Sequence, residues 1–311
     1  MFQTKSTIAI LLIGFLQITA VNAGAIRPIG HDDQLIPTGK GWGERPIQAQ
    51  TPTGGATGAA QAAVYTNGIT YHNGPLILGA THIYYIWYGD WSNNTAPTIL
   101  TNFASSIGGS PYYNINTTYY DKYNRYASNL ATYAGSTTVS YPYGTALSDF
   151  KIRTVVRNAI VSGSLPKDSR AVYFVLTSAD VTASSGFCTQ YCGWHSHSQI
   201  SGADIKFSFV GNPDRCPNAC TMQTVSPNGN AGADGMASVI AHELEETVTD
   251  PDFNAWYDSQ GLENADKCAW TFGNTYTSAN GGTANMNLGG YDYLIQQNWV
   301  NASGGYCALS Y

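Results

Sequence analysis

The most constraining stretch of the chain is residues 234–266, which read D-G-M-A-S-V-I-A-H-E-L-E-E-T-V-T-D-P-D-F-N-A-W-Y-D-S-Q-G-L-E-N-A-D. Met236, Val239, Ile240, Leu244 and Val248 recur at helical spacing and predict a helix of about four turns. Asp234 is placed to cap its start, and Pro251 disfavours helix beyond Asp250. On such a helix His242 and Glu246 project from one face on consecutive turns, with Glu243 beside them. The pattern is that of the zincin helix H-E-x-x-H, with a carboxylate in place of the second histidine.

Zinc accepts carboxylate oxygen as well as imidazole nitrogen, so His242 and Glu246 form a legal ligand pair. Taken alone, the same five residues also describe a solvated acidic face with one incidental histidine. The residues that follow favour the metal. A zinc peptidase takes its third ligand from beyond the helix and keeps one position for water. Glu263 suits that third place, and Asp266 is either an alternative ligand or an acceptor behind the ligands. Glu243 is then the candidate catalytic base. Zinc is the cofactor expected. Calcium is the lesser choice, because a histidine suits a hard cation poorly.

The ends and the cysteines point outside the cell. Lys5, the apolar run over residues 8–21 and the small-residue site V-N-A read as a signal peptide over residues 1–23. That run is too short for a secure membrane span, and no later segment supplies one. Six cysteines in an exported chain favour disulfides. Cys188 and Cys192 form one C-x-x-x-C pair and Cys216 and Cys220 another, leaving Cys268 to pair with Cys307. Local pairing is the preferred connectivity, with a four-thiolate zinc site the lesser reading. Asn93, Asn116 and Asn301 begin glycosylation sequons. A net charge of −6 offers no electrostatic reason to expect a nucleic acid partner.

Residues 24–62 are rich in Gly, Pro, Thr, Gln and Ala without a sustained period, and read as a flexible arm, with a removable pro-segment the lesser option. The folded domain is expected over residues 63–311. Within it, Leu76-Ile-Leu, residues 81–88, 171–177, 205–210 and 291–295 read as strands. Residues 96–107 and 145–160 have helical period. His195 and His197 share one face if their segment is a strand, a pattern that suits a metal, but a stapled loop with surface histidines is preferred. The expected architecture is α/β (α+β): a single domain with a mixed central sheet, flanking helices and the zincin-like helix. No internal repeat, phosphate loop, nucleotide fingerprint or G-x-S-x-G elbow is present.

Several stretches together resemble one family. They are T-Y-H-N-G-P from Thr70, I-W-Y-G from Ile86, G-F-C from Gly186, C-G-W-H from Cys192, V-G-N from Val210, D-G-M from Asp234 and T-V-T-D-P-D-F from Thr247. In this order they resemble the phosphate-induced protein 1 family, also called Exordium-like, from about residue 64 to the end. The resemblance implies a cell-wall-associated growth role of the plant members, which have no settled biochemical activity. Plant members generally lack H-E-x-x-E. Its presence here, followed by E-N-A-D-K-C from Glu263, resembles a microbial-type branch with a metallopeptidase-like helix. Two functions are therefore expected: a secreted zinc metallopeptidase acting on extracellular peptide or protein, or a non-catalytic cell-wall, matrix or signalling protein.

Overall fold

The computed structural model describes residues 37–40 and 68–311, and the expectations for a signal peptide and for most of the arm lie outside them. The described residues belong to one compact unit. Its centre is a five-stranded sheet. Strand β1 (Thr81–Tyr88) is β-branched or aromatic at nearly every position, the composition of a strand covered on both faces. Strands β2 (Ala131–Val139) and β3 (Ala171–Thr177) flank it in parallel. Strand β4 (Gly193–Ile200) and strand β5 (Ala203–Gly211) complete the sheet in the order β2-β1-β3-β5-β4. Strand β5 runs parallel to β3, and β4 is the antiparallel edge. Ser201 and Gly202 join β4 to β5 with φ of 50° and 77°, the pair of positive values that a two-residue turn between twisted strands requires.

Three helices cover the sheet. Helix α1 (Ala96–Ser106) and helix α2 (Asp149–Val161) fill the crossovers between parallel strands. The hydroxyl of Tyr85 donates to the Leu100 carbonyl in α1 at 3.1 Å, while that of Tyr88 donates to the Gly144 carbonyl ahead of α2 at 2.8 Å. Three residues apart on one strand, the two tyrosines point to opposite faces, so α1 and α2 lie on opposite sides of the sheet. Helix α3 (Ala231–Thr249) packs beside α1 and against β4 and β5. Asn230 caps it, accepting from the Ala233 N–H. Asp234, expected at the cap, lies inside the first turn, and its carboxylate accepts from Ser226 and Asn228 instead.

Every residue of α3 from Gly232 to Thr249 is buried. The sheet covers one side, and residues 250–311, a run of short two-stranded ladders, wrap the other. A buried helix ordinarily reads as apolar all round. This one carries His242, Glu243, Glu245 and Glu246, so each of those groups needs an interior partner.

Three details depart from the sequence reading. Leu76-Ile-Leu forms no strand; the Ile77 N–H donates to the Val248 carbonyl and ties that segment to the end of α3. The first four cysteines pair crosswise, Cys188 with Cys216 and Cys192 with Cys220. The segments before β4 and after β5 lie side by side, with the Gly211 N–H donating to the Cys192 carbonyl, so the bridges staple one to the other rather than closing local loops. Cys268 pairs with Cys307 as expected. Asn116 is wholly buried in the short helix Tyr113–Thr118, which leaves no room for a glycan in the folded chain. Asn93 is exposed and Asn301 half-buried. No helix among the described residues is long and apolar enough to cross a membrane.

Candidate metal centre

Helix α3 turns His242, Glu243 and Glu246 toward strand β4 and toward the loop that carries Glu263 and Asp266. Helical spacing accounts for the first pair, since residues four apart stand on consecutive turns. Their side chains meet directly: His242 Nε2 lies 3.0 Å from Glu246 Oε1. Asp266 Oδ1 stands 3.6 Å from the same imidazole nitrogen. The loop is locked onto the helix through its backbone. The Asp266 N–H donates to Glu246 Oε1 at 3.1 Å, and the Glu263 N–H donates to Asp266 Oδ2 at 3.2 Å.

A second histidine enters from the sheet. His195 belongs to β4 rather than to a surface loop, and it is 1% exposed. Its Nδ1 lies 3.1 Å from Glu243 Oε2 and 3.4 Å from Glu246 Oε2. Its Nε2 lies 3.5 Å from Glu263 Oε1. The ring of Phe253 closes the remaining side, with centroids 4.9 Å apart. The expectation of surface histidines fails here for a physical reason. Alternation on a strand puts residues 193, 195 and 197 on the face that meets α3, and α3 covers His195. The spacing of His195 and His197 was the available signal. His197, nearer the strand's end, stays half-buried beside Asp204 and Asp252. The ammonium of Lys206 already lies 2.6 Å from Asp204 and 2.5 Å from Asp252, so that outer group holds its own cation.

The electrostatics of the inner cluster are unbalanced. His195, His242, Glu243, Glu246 and Glu263 are each 1% exposed and Asp266 is 2% exposed. Four carboxylates therefore face two imidazoles in the interior. Burial opposes charge on His195, but Glu243 and Glu246 outweigh it and raise its pKa to about 9. Burial likewise opposes charge on Glu246, and the two imidazoles outweigh it, holding the carboxyl down to about 2. Glu263 has no such relief. Burial, then the charges of Glu246, Asp250, Asp266 and Glu243, push its carboxyl well above the usual range.

The donor set suits a metal ion. Tetrahedral zinc with bonds of about 2.0–2.1 Å places its donor atoms roughly 3.3–3.4 Å apart. In the group of His242, Glu246 and Asp266 the two nitrogen–oxygen separations are 3.0 and 3.6 Å. Two overlapping groups share Glu246: His195 with Glu243, and His242 with Asp266. His195 Nε2 and Glu263 Oε1 are buried atoms without a hydrogen-bond partner, and they face each other. Asp250 stands outside the donor set as a turn former, its Oδ1 accepting from the N–H groups of Asn254 and Ala255.

The fold and site together define an α/β protein with a sealed histidine–carboxylate centre. Residues 69–294 match the family described as phosphate-induced protein 1 conserved region. The chain is 31% identical to Protein EXORDIUM-like 5 of Arabidopsis thaliana over 74% of its own length and 75% of that protein's. It is 30% identical to Protein EXORDIUM-like 3 of the same plant, covering 74% and 80%. With Protein PHOSPHATE-INDUCED 1 of Nicotiana tabacum it shares 28% identity, covering 64% and 71%. The chain belongs to the phosphate-induced protein 1 family. No solved structure matches it.

Proposed function

We propose that this protein is a non-catalytic, secreted member of its family, acting in the cell wall, the matrix or signalling, with a zinc ion in its core. The observation that carries the reading is the burial of the cluster. All six side chains are at most 2% exposed, and Phe253 closes over His195. A hydrolytic zinc needs an open coordination position and a path for a scissile carbonyl, whereas a structural zinc is enclosed by its ligands. His242, Glu246 and Asp266, which come together as one group, are the residues that would hold the ion, with His195 meeting the shared Glu246 from the strand side. Bound there, zinc would neutralise the carboxylates and join α3 to the 263–266 loop. Three disulfides fit an oxidising extracellular setting.

A second reading, a zinc metallopeptidase acting on extracellular peptides, is favoured by one observation. The carboxylate of Glu243 lies beside the donor set, 3.1 Å from His195, where a general base would stand. In that reading zinc supplies Lewis acidity toward a scissile carbonyl, and Glu243 accepts the proton of the attacking water and delivers it to the leaving amine. Incubation of zinc-supplied protein with a broad peptide library separates the two. The non-catalytic reading expects no cleavage by wild type. Cleavage by wild type that disappears in Glu243→Gln, with metal content and thermal stability retained, would replace it with the peptidase.

A further inference from the structure

The outer edge of β4 is where a further strand could add to the sheet, and residues 37–40 lie on it. The His195 N–H, on the side of β4 away from β5, donates to the Gly39 carbonyl at 3.1 Å. Gly39 is buried with φ of 68°, a left-handed conformation that strains any residue with a Cβ. A Cβ on Gly39 would collide with the His195 carbonyl oxygen and with the ring of Phe253. Contact this close requires glycine and fixes where the neighbouring side chain falls.

That neighbour, Lys40, turns toward the opposite face of the sheet and lies partly exposed against Asp149. Its Nζ lies 2.6 Å from Asp149 Oδ2 at the first residue of α2. It also lies 5.4 Å from the ring centre of Tyr191 and 5.5 Å from that of Trp194. The seat of Lys40 is organised by its own bonds. Ser185 Oγ lies 2.5 Å from Asp149 Oδ1 and 2.5 Å from the Tyr191 hydroxyl. A carboxylate with two aromatic faces suits a primary ammonium, through a charged hydrogen bond and cation–π attraction together.

We propose that the edge of β4 is a peptide-binding site, selective for a chain with a left-handed glycine followed by lysine, which residues 37–40 occupy as a tethered ligand. The hydrogen bond from the His195 N–H to the glycine carbonyl supplies backbone register, the glycine step fits the surface of His195 and Phe253, and the Asp149 carboxylate with the rings of Tyr191 and Trp194 supplies selectivity. When the tether leaves, a partner peptide of the same chemistry takes its place. The proposal goes beyond the metal reading, because its contacts are the His195 main chain and a lysine seat outside the carboxylate cluster.

The test uses the full chain and a fluorescein-labelled synthetic peptide, Q-L-I-P-T-G-K-G-W, which copies residues 34–42. Gly39→Val should expel the tether, and the variant should bind the peptide at least ~10-fold more tightly than wild type. Adding Asp149→Asn, or replacing the lysine of the peptide with methionine, should reverse most of that gain. Lys40→Met keeps the backbone fit and should give a smaller gain in the same direction. Amide exchange gives an independent readout: the His195 amide should be protected in wild type and exchange faster in Gly39→Val. Equal peptide binding by wild type and by folded Gly39→Val and Lys40→Met would overturn the proposal. So would a gain that ignores Asp149→Asn and the lysine replacement, or a His195 amide that exchanges equally fast in every form.

Discussion

His195 Nε2 and Glu263 Oε1 face each other at 3.5 Å across a sealed interior, and neither makes a hydrogen bond. One comes from the edge strand and the other from the loop after α3. With His195 protonated the two form a buried ion pair, and the other ring nitrogen of His195 lies against Glu243 and Glu246. Removing His195 leaves Glu243, Glu246 and Glu263 buried around a void. His195→Ala should therefore destabilise the protein by roughly 3–5 kcal/mol, the usual effect of deleting one partner of a buried charged group. Thermal or denaturant unfolding checks this, and a change within about 0.5 kcal/mol would show that the cluster tolerates the loss.

Asp250 predicts how stability depends on pH. Burial pushes its carboxyl up to about 7, although the N–H groups of Asn254 and Ala255 hold it down. In the unfolded chain the same group titrates near ~3.9. The folded state therefore binds more protons between these values, and this contribution falls as pH rises through them. The loss amounts to roughly 4 kcal/mol between about pH 4 and pH 7, and is complete above that window. Asp250→Asn keeps an oxygen for both N–H groups and removes the charge. It should flatten this part of the profile and raise stability near pH 8 relative to wild type. An unchanged pH profile in urea unfolding would contradict the assignment.

The disulfide Cys268–Cys307 spans 39 residues and anchors the loop that carries Glu263 and Asp266. Replacing both cysteines with serine should cost roughly 4 kcal/mol by loop closure. It should also weaken metal retention, because the donor Asp266 loses its anchor. Unfolding curves and dialysis against a weak chelator measure the two effects. Lower stability with unchanged metal retention would show that the loop is held by its own hydrogen bonds instead.

The sequence was most informative where a local rule decides the outcome. The apolar period of residues 236–248 marked α3 and set His242 and Glu246 on one face, because helical spacing is a property of neighbours along the chain. The apolar run of residues 171–177 became a buried strand for the same reason. His195 was hidden because its burial depends on α3 crossing over β4, a contact between distant segments. Pairing of the first four cysteines failed likewise: C-x-x-x-C spacing describes separation along the chain, whereas their bridges follow two segments brought together by the β4–β5 pair. Strand β2, A-T-Y-A-G-S-T-T-V, escaped notice because it is polar on alternate residues and contains glycine. The seat of residues 37–40 on the edge strand was invisible for a similar reason, since composition alone reads that stretch as an arm.

The central claim is that the interior cluster holds zinc. Full-length protein, supplied with zinc at neutral pH and dialysed free of excess, should be assayed for metal by elemental mass spectrometry beside His242→Ala and His195→Ala. Wild type should retain stoichiometric zinc, His242→Ala should lose it, since the carboxylates left without that imidazole make a poor zinc site, and His195→Ala should retain less than wild type. Wild-type protein that is folded, disulfide-bonded and free of stoichiometric metal would contradict the claim.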